Sequence, residues 1–185
     1  KWLQVEAGLQ LLQKSNKTMS NILKSFTLLF LFAITVSNGQ EKVEVKKLYI
    51  PAKIWEVPDN NNYDDAASKY SYKRMVESDN IAMFWDKEYG DDPTTNADAT
   101  KRFDPKKAIV ECERFYNFYV NDLKLVQKGH SVSDTYKLLI YVFGGTENTA
   151  FGGGEEDKIG ILWTPATRIN KMPYGALAHE IGHSF

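Results

Sequence analysis

The order of apolar patterns along the chain predicts an α+β fold: strand, strand, long helix, strand, strand, closing helix. Three observations carry this. Short apolar runs at residues 80–85, 136–143 and 159–164 are bounded by turn residues and have strand length. Apolar residues at Ala108, Ile109, Cys112, Phe115, Tyr116, Tyr119, Val120 and Leu123 recur instead at the helical period. With 43% hydrophobic residues in 185, the chain can bury one ordinary core.

Residues 1–18 are polar and Gln-rich, and are expected to be an upstream, non-native segment, with Met19 as the true start. One cation, Lys24, precedes an apolar run over 26–36 and the small residues Ser37 and Gly39, the pattern of a secretory signal peptide over 19–39. The run of about eleven apolar residues falls short of the roughly 20 a membrane-spanning helix needs, so an uncleaved anchor is the weaker alternative. Residues 40–185 are then one partial domain with no stable membrane span, exported to the periplasm, the cell surface or the medium. Lys+Arg at 23 against Asp+Glu at 24 leaves no charge bias toward nucleic acid. The chain lacks an initial Met and stops within its last helix, so a fragment open at both ends, inactive alone, is expected.

Within the domain, the β-rich runs at 47–50 and 53–57, interrupted by Pro51, predict an edge strand or two short strands. Residues 58–62 are a loop and 63–75 are ambiguous, with a short helix one option. Residues 80–85 fit a buried strand. The loop over 90–102 carries Asp91-Asp92, an acidic pair without the alternating oxygen spacing of a calcium site, and is expected to be solvated. Asp104-Pro105 supplies an N-cap and a first-turn Pro to the long helix, whose one-sided aromatic stripe predicts core packing. Cys112, the only cysteine, falls on that stripe and behaves as a small hydrophobe. Residues 136–143 predict a central strand and 159–164 a second, ended by Pro165. Between them, Gly152-Gly153-Gly154 lacks the Lys-Ser/Thr ending of a phosphate loop and predicts a flexible connection. Glu155, Glu156 and Asp157 predict a solvated charge run, and His130 a solvated loop histidine.

The chemistry concentrates in His179-Glu180-Ile181-Gly182-His183 on the closing helix. At about 100° per residue, His179 and His183 share one face and can reach one ion, while Tyr174, Leu177, Ile181 and Phe185 line the other. Neutral imidazoles hold zinc without cancelling its charge, and the ion lowers the pKa of a ligating water toward ~7. Glu180, beside the ligand face, can then act as general base and return the proton to a leaving amine. Gly182, a poor helix former, suggests close approach by a neighbouring element. With 3 His and 12 Glu in 185 residues, such a run arises by chance in about three chains in a thousand, so the pattern is specific.

On this motif and the elements before it, the chain resembles the zincin metallopeptidases. The string Gly160-Ile161-Leu162-Trp163-Thr164-Pro165 followed by Ala178-His179-Glu180-Ile181-Gly182-His183-Ser184-Phe185 also looks like secreted bacterial zincin-like proteins of unassigned function. The resemblance implies a zincin-like N-terminal subdomain: a twisted mixed sheet with the long helix packed on it and the active-site helix at the C-terminal end. It implies an edge strand at Ile161, Leu162 and Trp163 that pairs with extended substrate. It also implies His179 and His183 as zinc ligands and Glu180 as the base, with a third ligand, His or Glu, expected beyond Phe185. With two histidines alone, weak or no stoichiometric zinc binding by the fragment is expected.

The function expected is therefore a secreted zinc-dependent metallopeptidase of the HExxH type, a hydrolase cleaving peptide or protein substrates in its full-length form. The alternative is a secreted binding or surface module on the same scaffold, with the metal structural or absent, because a fold does not fix a function.

Overall fold

Strands apolar along their whole length must be covered on both faces, and the runs at 80–85 and 136–143 are built that way. The computed structural model describes residues 45–170 and 172–185; the upstream segment expected at 1–18 and the signal peptide expected at 19–39 lie outside them. Five strands form one mixed sheet: β1 (Met75–Glu77), β2 (Ile81–Trp85), β3 (Leu138–Val142), β4 (Phe151–Glu155) and β5 (Ile159–Thr164). Their order is β1-β2-β3-β5-β4. The three central strands run parallel, while β1 and β4 pair antiparallel to their neighbours at the two edges. Parallel pairing of β2 with β3 needs a long crossover, and helix α1 (Pro105–Asn117) lies in it.

Alternation along each strand splits the apolar residues between two cores. Ile81, Met83, Leu138, Ile140 and Leu162 face α1, where they meet Ile109, Cys112 and Tyr116. Ala82, Phe84, Leu139, Tyr141, Ile161 and Trp163 face away from it and are covered by Ile54, Tyr70 and Phe143. All residues of β2 and β3 are buried, as their unbroken apolar character requires.

α1 starts where its sequence says. The Asp104 carboxylate accepts from the backbone N–H of Lys106 and Lys107, and Pro105 takes the first helical position; a cap of this kind contributes about 1 kcal/mol. The helical stripe stops short of Leu123, however. After Asn117 the chain widens into a π-helical turn over Phe118–Asp122. That shifts the phase, leaving Phe118 and Leu123 exposed while Tyr119 and Val120 still reach the core.

Two further expectations are corrected. Residues 47–57 form no strand, only a single parallel bridge from Lys47 to Tyr136. Pro51 interrupts the run, and the segment is held by other bonds: Glu156 accepts from Tyr49 Oη and Ala52 N, and Trp163 Nε1 donates to the Trp55 carbonyl. Ile54 is buried, and Leu48, Tyr49, Ile50 and Val57 partly so, by packing on the sheet face rather than by joining the sheet. The glycine triplet is not a flexible connection but the middle of β4, paired to β5 from Phe151↔Trp163 to Glu155↔Ile159. The ambiguous stretch 63–75 contains a single 3₁₀ turn, Tyr72–Arg74, leading into β1.

Candidate metal centre

Beyond β5, a short helix α2 (Ala166–Ile169) leads to the closing helix α3 (Gly175–Gly182). Leu177 and Ile181 are fully buried, and Tyr174 and Phe185 pack against the same cluster. Each such buried aliphatic contributes about 1.5–3 kcal/mol, which fixes the rotation of the helix about its axis. The opposite face then carries His179 and His183, both exposed, with Glu180 half-buried beside them.

The two Nε2 atoms lie 3.1 Å apart, and the rings meet edge to face at 86°. One ligand atom from each of His179, Glu180 and His183 falls within 4.8 Å of the others. These residues fit zinc on two counts. At zinc–nitrogen lengths of about 2.0–2.1 Å, nitrogens this far apart can both touch one ion at an angle of roughly 100°, close to tetrahedral. Imidazole with oxygen donors is also a set that zinc accepts.

Three glycines let neighbouring elements close on α3. A Cβ on Gly152 of β4 would sit 2.1 Å from the backbone oxygen of Glu180, so the sheet edge touches the motif helix directly. A Cβ on Gly160 would meet Ser184, and one on Gly182 would meet the Tyr119 ring, whose hydroxyl donates to the Ala178 carbonyl at 2.8 Å. The close approach expected at Gly182 is thus made by α1's extension.

Ile161, Leu162 and Trp163, expected at the sheet edge, lie inside it. β5 is paired on both sides, to β3 and to β4, and all three residues are buried. The edge beside the motif is β4. The sequence masks this because a run of glycines has no apolar alternation to read. One signal does exist: only residues 156–158 separate β4 from β5, a hairpin-length gap. Glu156 and Asp157 both adopt positive φ there, the pattern of a mirror-image type I turn.

The other candidates sit apart from the cluster. His130 is exposed in the loop before the turn Val132–Asp134. Asp91 pairs with Lys73 at 2.6 Å and with Arg74, and Asp92 caps the turn at Thr94, so the acidic pair is engaged by protein donors. Glu156 is more than a solvated charge: the hydrogen bond from Tyr49, with that from Ala52, holds its carboxyl below the usual range. Cys112 is fully buried, and burial pushes its thiol up to about 12, helped by Glu111 and Glu113. It therefore stays protonated at neutral pH and is no nucleophile. Iodoacetamide is expected to leave Cys112 unmodified in native buffer and to alkylate it fully in denaturant, as read by intact mass.

Among the described residues, no helix is long and apolar enough to cross a membrane. Fold and site together define an α+β protein with a candidate two-histidine metal centre on its closing helix. The chain belongs to DUF6055, a family of unknown function, whose model matches residues 40–185. No curated protein and no solved structure matches it.

Proposed function

We propose that the chain belongs to a zincin-like, exported, zinc-dependent peptidase. One observation carries this: two imidazole nitrogens 3.1 Å apart on one helix face, with a carboxylate from the residue after the first histidine next to them. His179 and His183 would hold the metal, with a further ligand from elsewhere in the full-length protein. Zinc, when bound, supplies a Lewis acid that acidifies water and polarises a carbonyl.

The chain's own residues account for the remaining steps. Glu180 takes a proton from the attacking water as its oxygen bonds to the carbonyl carbon, and gives that proton to the amine as the C–N bond breaks. Among the described residues β4 pairs with β5 on one side only, so its outer edge offers backbone donors and acceptors to an extended peptide. Contact between Gly152 and the Glu180 backbone sets that edge beside the motif. Export is supported by the signal pattern at 19–39 and by a family match that begins at residue 40.

The test is metal content and peptide hydrolysis by the full-length protein. About one zinc per chain is expected, lost in His179→Ala, together with cleavage of unstructured peptides that stops on chelation. Protein that takes up no zinc and cleaves no peptide sinks the proposal.

A further inference from the structure

An aromatic shelf stands at the Phe151 end of β4, on the sheet face away from α3. The Trp55 ring lies edge-on to Phe151 at 5.4 Å, Trp163 at 5.8 Å and Phe143 at 5.9 Å. Its backbone is tied by the 3.0 Å bond from Trp163 Nε1 to the Trp55 carbonyl and by a turn bond from Val57 N to Ile54 O. Trp163 and Phe143 are buried beneath, yet Trp55 remains 49% exposed and Phe151 39%. Two large rings are thus held rigidly and left half in water, where a partner's apolar surface can cover them at little entropic cost.

What covers them is argued from the strand beside them. Side chains alternate along β4: Gly152 faces α3, so Phe151 and Gly153 face the shelf. A Cβ on Gly153 would meet nothing within 4 Å, which leaves a notch next to the Phe151 ring. The outer edge of β4 demands an extended main chain, and the shelf demands an apolar side chain from it.

We infer that Trp55 and Phe151 form a subsite selecting a large apolar side chain on an extended polypeptide paired with β4. This rests on the edge-strand reading proposed above and deepens it by naming the residue recognised. On a strand paired there, the residue whose side chain points toward the shelf alternates with the one pointing toward α3 and the motif. The selected residue is therefore a sequence neighbour of the one nearest His179, Glu180 and His183.

The experiment uses the full-length Glu180→Gln protein, so that binding is read without turnover. Blocked decapeptides differing at one central residue, Phe, Leu, Ala or Asp, are titrated by fluorescence anisotropy. The Phe peptide is expected to bind about tenfold tighter than the Ala peptide. In Trp55→Ala and in Phe151→Ala that ratio falls to about twofold or less. Thermal melts check that each variant folds, and Phe151→Ala decides the matter should Trp55→Ala unfold. A ratio unchanged in a folded variant, no preference for Phe, or binding of oligosaccharide in place of peptide overturns the subsite. Selectivity without cleavage by the wild-type protein removes the peptidase and keeps the subsite. Cleavage with a ratio indifferent to both rings does the reverse.

Discussion

Glu180→Gln is expected to keep the metal and lose the reaction. Gln matches Glu in size and in helix propensity, so α3 keeps its buried face of Leu177 and Ile181 and its outward histidines. What changes is the acceptor, since an amide cannot take a proton from water. General acid–base groups contribute about 10²–10⁴-fold to rate, so kcat/KM for a cleaved peptide should drop at least about a hundredfold. Zinc content measured on the same preparation should stay level. His179→Ala should remove both zinc and activity, because the remaining Nε2 of His183 is left without its partner 3.1 Å away. Undiminished hydrolysis by the Gln protein would reject Glu180 as the base even if the metal site stands.

The motif was legible because it sits on one helix and its C-cap residue, where local geometry alone turns His179 and His183 to one side. α1 was legible for the same reason, with Asp104 and Pro105 marking its start and Ala108, Ile109, Cys112 and Tyr116 following at helical spacing on its buried face. β2, β3 and β5 could be read from apolar runs because both of their faces are buried. Where the sequence misled, the determining partner was remote or had no side chain. The apolar residues of 47–57 call for burial, but whether they obtain it by pairing or by lying across a sheet depends on Glu156 and Trp163, more than 100 residues away. Leu123 fits the stripe of α1 until a π-helical turn displaces it. β4 was hidden by its glycines, and with it the true edge of the sheet, so Ile161, Leu162 and Trp163 were given an edge position that belongs to Phe151–Glu155.

Those glycines give the sharpest structural prediction, because two neighbours in one triplet should behave oppositely. A methyl at position 152 would lie 2.1 Å from the Glu180 oxygen, 2.8 Å from its carbonyl carbon and 3.0 Å from its Cα. None of these atoms is the end of a flexible side chain, so relief requires β4 or α3 to move as a whole. Gly152→Ala should cost about 3 kcal/mol, roughly 6–12 °C in thermal midpoint for a domain of this size. It should also weaken zinc binding, since the displaced backbone lies between His179 and His183. Gly153→Ala places its methyl in open space on an extended strand, where Ala is favoured over Gly by about 0.5–1 kcal/mol. Its midpoint should hold or rise, with zinc content unaffected. Calorimetric melts of the two variants with metal analysis decide the matter. Equal tolerance at 152 and 153 would mean that β4 does not rest on the motif helix, and the route by which a substrate strand meets Glu180 would fall with that contact.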